Sequence, residues 1–275
     1  MQQRRLRNSF DSESSLLDWF RTGFSQRACA FIPEDPDPED ILEAVLDGSS
    51  WKNLSGKGDP PPDFVNPSQM LMLEIMRVDD HERPGDKKGF VNPVRQRESE
   101  ILKEHEGRFR ELLDRAAEGV TLTVVGKTDL PTGKDHSYAM YLDSFERIVI
   151  KHANHADLYR QNNPGYKLVF FIFDESSAYC EPTTRVAHEI REGYELRGRP
   201  HYYFADAAFL KVIRNSKADY FIWYAPFHHE HLFAEGLLLP ETTVYDVSRI
   251  NVPVFHYDAV TKRSEERRVG KECRS

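Results

Sequence analysis

The sequence predicts an α/β protein in which a mixed central sheet is flanked by helices. Short apolar runs with strand-like alternation are separated along the chain by segments of helical periodicity. The run at residues 70–78 is apolar on both of its faces, which is typical of an interior strand. Aromatic residues make up 12% of the 275-residue chain, which is long enough to bury a substantial core.

One domain is expected between two shorter end segments. Residues 36–262 carry the α/β pattern, and residues 1–35 form an N-terminal segment with one amphipathic stretch at 16–24 that could cover the core or bind a protein partner. Residues 263–275 resemble a translated adaptor sequence and are expected to be a non-native tail. The formal net charge is −8, so contact with nucleic acid would require a local basic strip.

The helices are predicted from apolar periodicity and from capping signals. In the first helix after the N-terminal segment, Asp37 is the expected N-cap and Pro38 the first helical residue. In a long, strongly charged helix, Leu112 belongs to the expected buried stripe. The predicted helices cover residues 16–24, 37–47, 93–118, 136–159 and 207–214.

The strands are predicted from short runs rich in β-branched and aromatic residues. In the run at 70–78, every second side chain lies on the same face as Glu74, and both faces are mostly apolar. This strand is therefore expected in the interior of the sheet. The other predicted strands cover residues 120–125, 167–173, 202–204, 220–224, 242–247 and 252–257.

Asp63 and Glu74 are the first candidate site residues. Consecutive prolines precede Asp63, and Glu74 lies inside the apolar run. Burial disfavours an ionised carboxylate, so Glu74 requires a partner, a metal or a function. Placed on one sheet edge, the two acids could hold Mg²⁺ or Mn²⁺ between them.

The segment Pro62-Asp63-Phe64, followed by a strand containing Leu73-Glu74-Ile75-Met76, resembles the PD-(D/E)xK, or restriction-endonuclease-like, superfamily. The resemblance covers residues 37–118. It implies a restriction-endonuclease-like core and a Mg²⁺-dependent nuclease in which Asp63 and Glu74 bind the ion.

The chain departs from this family at the motif lysine, because Met76 occupies that position. A thioether can neither carry charge nor donate a proton. Arg77 or Lys87 could support the phosphate instead, although arginine would be a poor base. The resemblance also implies an upstream acid on the first helix, for which Glu39, Asp40 and Glu43 are candidates, and Glu43 or His81 could orient the attacking water.

Asp80 and His81 are further candidate metal ligands. They belong to the run Asp79-Asp80-His81-Glu82, directly after the strand at 70–78, and could complete the metal shell of Glu74. The alternative is an ordinary solvated turn.

Two other polar clusters and one further aspartate have alternative interpretations. The run His228-His229-Glu230-His231 fits no zinc-binding spacing and is expected to be a polar loop or helix start. Asp174 and Glu175 follow an apolar strand and could be catalytic acids of another kind of enzyme, or Asp174 could cap the next segment. Asp206 is expected to be an N-cap.

Several functional classes lack their sequence signals. Gly133-Lys134 has neither the glycine spacing nor the following Ser or Thr of a phosphate loop. No GxGxxG motif follows a strand and no GxSxG motif occurs, so dinucleotide binding and α/β-hydrolase chemistry have no support.

The sequence thus favours a bacterial-type, cytoplasmic, Mg²⁺- or Mn²⁺-dependent nuclease acting on nucleic acid. It contains no apolar run of the roughly 20 residues that span a bilayer and no signal-peptide pattern. The alternative is a non-catalytic interaction protein whose N-terminal segment and charged helix at 94–118 dock a partner.

Overall fold

The computed structural model describes residues 12–24, 28–56, 61–83, 91–115, 128–131, 133–182, 198–228, 239–257 and 262–263. Several predicted features lie outside these ranges: the strand at 120–125, Lys87, the end of the charged helix at 116–118, residues 229–231 of the histidine-rich run, and the tail from residue 264 onwards.

The described residues form a seven-stranded mixed sheet and a smaller three-stranded sheet. In chain order, the strands are β1 (Cys29–Ile32), β2 (Lys52–Asn53), β3 (Phe64–Asn66), β4 (Leu71–Val78), β5 (Lys167–Asp174), β6 (Tyr179–Pro182), β7 (Gly198–Pro200), β8 (Tyr220–Tyr224), β9 (Thr242–Asp246) and β10 (Lys262–Arg263). The large sheet has the order β1-β9-β8-β5-β4-β3-β2, and the small sheet has the order β10-β6-β7. The predicted α/β class with a mixed central sheet is confirmed.

Strands β4, β5 and β8 are parallel neighbours near the middle of the large sheet. β3 pairs antiparallel with β4 in a hairpin, and β2 pairs antiparallel with β3. At the other side, β9 is antiparallel to β8 and parallel to β1. The interior position predicted for the strand at 70–78 is therefore correct.

Helices cover both faces of the large sheet. They are α1 (Glu13–Gly23), α2 (Pro36–Leu46), α3 (Pro93–Glu104), α4 (Glu106–Arg115), α5 (Tyr138–Ala153), α6 (Ala156–Asn162) and α7 (Ala207–Arg214). Apolar residues of α1 and α2 pack with Leu73 and Ile75 on one face, and those of α5, α6 and α7 pack with Met72 and Met76 on the other. Alternate side chains of β4 therefore pack into two separate cores, one on each face of the sheet.

The N-terminal helix α1 covers one face of the sheet. A capping box between Ser12 and Ser15 begins it. Leu16, Leu17 and Phe20 are buried, and the Phe20 ring packs edge-on against Phe171 of β5 at 4.9 Å. None of the helices in the described ranges combines the length and apolarity that crossing a bilayer requires.

Helix boundaries differ from the predictions most clearly at three places. The N-cap of α2 is Asp35, not Asp37, because Pro36 can occupy the first helical turn without losing a hydrogen bond. The helix predicted at 136–159 is two helices, broken by a turn at 154–155, and the one predicted at 93–118 is interrupted at His105.

Two predicted strands are not strands. Tyr203–Ala205 forms a single 3₁₀ turn in place of the strand at 202–204. The segment at 252–257 makes one isolated bridge, between Phe255 and Asp206. In both segments the alternating aromatic side chains pack against neighbouring rings, as Tyr257 does against His201 with ring centroids 4.6 Å apart.

The prediction that Leu112 is buried was wrong. Its side chain is 50% exposed on α4, whereas Leu102 of α3 is buried. The apolar periodicity therefore identified a helix but assigned the wrong part of it to the core.

Candidate functional site

The carboxyl ends of β4 and β5 meet at one edge of the large sheet. The two strands are parallel, and their last residues, Val78 and Asp174, are register partners. The buried polar residues that follow these strands are Asp79, Asp80, His81, Glu175, Ser176 and Ser177. Burying polar groups is costly unless they are paired, and ligand sites of α/β proteins commonly lie at this edge.

His81, Glu98 and His136 converge at this edge. Each offers one potential ligand atom, and these atoms all lie within 4.8 Å of one another. Nε2 of His81 is 3.0 Å from Oε2 of Glu98, and Nε2 of His136 is 2.8 Å from Oε1 of the same carboxylate. Both imidazoles are buried, and their ring centroids are 4.6 Å apart. We call these three residues the His–Glu–His cluster.

A hydrogen-bonded clamp holds together the segments that carry the cluster. The side-chain amide of Asn92 donates to the Glu82 carbonyl and to Oδ1 of Asp135, both at 2.8 Å. The Glu82 N–H donates to the same Asp135 oxygen at 2.6 Å. Glu82 and Asp135 are chain neighbours of the two histidines, and Asn92 is the N-cap of α3, which carries Glu98. The clamp therefore fixes the spacing of all three side chains.

Asp80 orients His136 from behind. Oδ1 of Asp80 lies 2.9 Å from Nδ1 of His136, and Oδ2 accepts a hydrogen bond from the Tyr179 hydroxyl at 2.7 Å. A carboxylate can only accept, so Nδ1 carries a proton and Nε2 is the nitrogen turned toward Glu98. A carboxylate behind a histidine is the usual setting of a metal-ligating imidazole.

The backbone of His136 is held in an uncommon conformation. Its φ is 59°, in the left-handed region that few residues other than glycine adopt. The His136 N–H donates to the Asp80 carbonyl at 2.7 Å, so both the main chain and the side chain of His136 are bound to Asp80. Conformations of this kind are concentrated at functional sites.

The carboxylate of Glu98 is ionised at neutral pH. Burial would raise its pKa, but hydrogen bonds with His136 and His81 outweigh burial and lower the pKa of Glu98 to about 2. Within the described residues, Nδ1 of His81 is buried without a hydrogen-bond partner and lies 3.9 Å from Oδ1 of Asp79. The cluster thus contains one permanent negative charge and one unsatisfied ring nitrogen.

Asp63 and Glu74 lie next to each other on the two arms of the β3–β4 hairpin. The Asp63 N–H donates to Oε2 of Glu74 at 3.2 Å, and the Ile75 N–H donates to Oδ2 of Asp63 at 2.8 Å. Oε1 of Glu74 contacts Nδ1 of His152 on α5. Burial, together with the adjacent Glu74 carboxylate, raises the pKa of Asp63 to about 7.

The structure does not bring Asp80 and His81 to Glu74. Glu74 lies four positions before the end of β4 at Val78, which is about 13 Å of extended strand. No single ion can bridge that distance. Asp80 and His81 instead belong to the His–Glu–His cluster and its support, while Glu74 pairs with Asp63 and His152.

The other predicted catalytic residues lie apart from the Asp63–Glu74 pair. Arg77 projects from the opposite face of β4, where its Nε donates to Oε1 of Glu175 at 2.6 Å. Met76 is buried in the core formed with α5. The candidate upstream acids, Glu39, Asp40 and Glu43, are on α2, which covers the face opposite His152.

Asp174 is engaged in a buried hydrogen-bond network. It accepts from the Tyr141 hydroxyl, from Trp223 Nε1 at 2.9 Å, and from the Ser176 N–H at 2.9 Å. The Ser176 hydroxyl lies 3.0 Å from Nε2 of His228. Since all these groups are buried, the network holds the end of β5 in place. Asp174 also caps the segment after β5, which is one of its two predicted roles.

Asp206 is the N-cap of α7, as predicted, and accepts from the Ala208 N–H at 2.8 Å. Its other oxygen accepts from the Tyr138 hydroxyl and lies 2.7 Å from Nε2 of His201. One carboxylate thus supports a helix start and two buried aromatic side chains.

Glu98 and His136 were not identified from the sequence. Glu98 is one of many charged residues in its helix, and the three cluster residues have no spacing of a known metal motif. One signal was available: both histidines directly follow an aspartate, in Asp80-His81 and Asp135-His136. Comparisons with protein-family models, curated proteins and solved structures found no match to this chain.

Proposed function

We propose that this chain is a metal-dependent hydrolase whose metal ion is held by His81, Glu98 and His136. The observation that carries the proposal is the convergence of two buried imidazoles on one ionised carboxylate. Two histidines and a carboxylate are the protein ligands of one class of hydrolytic zinc centre, in which the fourth position is left for water.

The protonation of His136 supports a cation at this position. Both of its ring nitrogens face carboxylate oxygens, Nδ1 toward Asp80 and Nε2 toward Glu98. Without a cation, the ring must be doubly protonated to donate to both acids. With a cation, Nε2 would become a ligand, and Nδ1 would keep its proton and donate it to Asp80 in a hydrogen bond. This is the tautomer that a metal requires.

The spacing is also close to that of a metal centre. Ligand atoms about 2.0–2.1 Å from a tetrahedral ion lie roughly 3.3 Å from one another. The two nitrogen–oxygen distances are 3.0 and 2.8 Å, and one ligand atom from each residue lies within 4.8 Å of the other two, so small side-chain movements would admit the ion. A metal with three protein ligands lowers the pKa of a bound water to near 7 and so supplies a nucleophile.

The first experiment measures metal binding in a matched pair of variants. Glu98→Gln removes the charge that binds the ion, and Glu104→Gln makes the same change on an exposed residue of the same helix that pairs with Arg97. Calorimetric titration with Zn²⁺ and the absorption spectrum with Co²⁺ should show one tight site in the wild type. The affinity should fall at least about tenfold in Glu98→Gln and stay unchanged in Glu104→Gln. Equal affinities in all three proteins would contradict the site.

The second experiment tests the reaction. The Zn²⁺-loaded protein should hydrolyse one member of a panel of chromogenic carboxyl, phosphomonoester and phosphodiester substrates, and Glu98→Gln should not. The same ligand set binds Fe²⁺ in oxygenases. Oxygen consumption with Fe²⁺, without hydrolysis in Zn²⁺, would replace the hydrolase by an oxygenase.

A second candidate is the Mg²⁺- or Mn²⁺-dependent nuclease with a restriction-endonuclease-like core that the PD-(D/E)xK resemblance implies. The observation that favours it is the adjacency of Asp63 and Glu74, and burial together with the Glu74 carboxylate raises the pKa of Asp63 to about 7. A divalent cation between the two carboxylates would stabilise both in their ionised forms.

This candidate is tested by melting temperature and by nucleic-acid cleavage. Mn²⁺ should raise the melting temperature of the wild type and of Glu98→Gln, but not of Glu74→Gln. Cleavage of single- or double-stranded DNA or RNA should disappear with the same substitution. If neither metal experiment gives a signal, the non-catalytic interaction protein becomes the better account.

A further inference from the structure

Three arginines surround two buried acids beside the His–Glu–His cluster. Asp79 accepts from Arg95 at 3.0 Å and from Arg83 at 3.2 Å, both through Oδ2. Glu175 accepts from Arg77 Nε at 2.6 Å and lies 3.5 Å from Arg95. The guanidinium of Arg95 therefore joins the acids that follow β4 and β5. We call Arg77, Arg83 and Arg95 the arginine rim.

The guanidinium groups of the arginine rim outnumber the two carboxylates that hold them. Three guanidinium groups face two carboxylates, those of Asp79 and Glu175. The side chains are 33% exposed for Arg77, 39% for Arg83 and 32% for Arg95, so each presents part of its surface to solvent. The buried acids hold these groups in place before any ligand binds, which lowers the entropy cost of binding.

The arginine rim adjoins the proposed metal ligands. Arg95 and Glu98 are three positions apart on α3, which places their Cβ atoms about 5–6 Å apart on one helix face. Asp79 directly precedes Asp80, the residue behind His136, and Oδ1 of Asp79 is 3.9 Å from Nδ1 of His81. A ligand bound by the rim would therefore have its reacting group near the cluster.

We propose that the arginine rim binds a phosphoryl group, which makes the substrate a phosphate ester. Planar guanidinium groups match the oxygens of phosphate with paired N–H donors. The whole chain has a formal charge of −8, so a phosphate-bearing ligand requires a local positive surface of this kind.

The reaction class rests on the proposed hydrolase, whereas the binding does not. In the reaction, the oxygen of water forms a bond to phosphorus and the ester P–O bond breaks. The leaving oxygen takes up a proton, so the products are phosphate and an alcohol, or a phosphomonoester and an alcohol from a diester.

The test compares two arginines with similar exposure. Arg83→Gln removes a member of the rim, and Arg97→Gln changes an exposed residue of α3 that pairs with Glu100 and Glu104. Inorganic phosphate is titrated calorimetrically into each protein, with and without Zn²⁺. We expect phosphate affinity to fall about tenfold in Arg83→Gln, the loss of one charge-assisted contact, and to stay unchanged in Arg97→Gln.

The outcomes for metal and phosphate are separable. Zn²⁺ affinity should be the same in Arg83→Gln as in the wild type. If Zn²⁺ does not bind but phosphate affinity still depends on Arg83, the hydrolase fails and the arginine rim stands. If phosphate binds equally to Arg83→Gln, or does not bind to the wild type in either state, the rim proposal is overturned.

Two further arms complete the test. Arg83→Lys keeps the positive charge beside Asp79 but loses the planar fork, so it should fold as the wild type does and show a smaller loss of phosphate affinity. Competition by a nucleoside monophosphate and by a short single-stranded oligonucleotide then distinguishes a small phosphate ester from a nucleic acid. Acetate competing as strongly as phosphate would contradict the preference for a phosphoryl group.

Discussion

Nε2 of His136 lies 2.8 Å from Oε1 of Glu98, although Nδ1 of the same ring already lies 2.9 Å from Oδ1 of Asp80. One imidazole thus connects two carboxylates that come from different segments of the chain. Such a ring is either a trapped imidazolium or a metal ligand with its second nitrogen anchored.

Asp80→Asn should weaken Zn²⁺ binding without abolishing it. The amide keeps an oxygen that can accept from Nδ1 of His136 but loses the charge that raises the basicity of the ring, so we expect a loss of about 10–100-fold in affinity. Calorimetric titration checks this. Asp129→Asn, on an exposed residue, is the control and should bind Zn²⁺ as the wild type does. An unchanged affinity in Asp80→Asn would show that Asp80 does not support a ligand.

The stability of the metal-free protein should decrease as the pH rises from about 4 to 7, in part because of Asp63. Its pKa is about 7 in the folded state, against an ordinary value of 3.8. Between these values the folded protein keeps a proton that the unfolded chain releases, so the free energy of unfolding falls with rising pH, by up to about 4 kcal/mol.

Asp63→Asn removes this titration. Urea unfolding in the presence of a chelator should give a flatter dependence on pH between 4 and 7 for the variant than for the wild type. Parallel pH profiles for the two proteins would mean that Asp63 is not forced to hold its proton.

Leu102→Ala and Leu112→Ala should differ strongly in their effects. Leu102 is buried on α3, so its truncation should lower the free energy of unfolding by about 2–4 kcal/mol. Leu112 is half exposed on α4, and its truncation should change stability by less than about 0.5 kcal/mol. Chemical denaturation of both variants measures this, and a large loss in Leu112→Ala would place that side chain against a partner surface.

Asp206→Ala should destabilise the protein more than the loss of an ordinary helix cap. The substitution removes the N-cap of α7 and leaves the Tyr138 hydroxyl and His201 buried without their acceptor, so we expect a loss of about 2–4 kcal/mol. Ser137→Ala removes the cap of α5 and one exposed hydrogen bond to the Lys134 carbonyl, and should cost about 1 kcal/mol. Equal losses in the two variants would show that the buried contacts of Asp206 contribute little.

Local patterns were sufficient to predict much of the sheet. The strands at 70–78, 167–173 and 220–224 are short apolar runs whose pairing buries both faces, and the structure contains all three. Prediction failed where aromatic residues alternate without forming a ladder, as at 252–257. There, packing between rings such as Tyr257 and His201 decides the conformation, and composition alone does not reveal it.

Of the three residues in the His–Glu–His cluster, only His81 was predicted from the sequence. His81 was predicted to be a candidate metal ligand because it follows a buried strand among acids. Its partners Glu98 and His136 are 17 and 55 positions further along the chain, and a tertiary clamp at Asn92 brings them together. Such long-range convergence leaves no local spacing to detect. Asp80 was assigned as a ligand, whereas its contacts give it the position of a support for His136.

The Asn92 clamp and the His–Glu–His cluster connect the same three segments, those after β4, in α3 and before α5, through two separate sets of contacts. An ion bound by His81, Glu98 and His136 would act as a non-covalent cross-link, closing one loop of 17 positions and another of 38. Helix α3 would then detach from the sheet edge less often, and its amide hydrogens would exchange more slowly when metal is present. A supply of metal would in this way slow the proteolytic cleavage of α3.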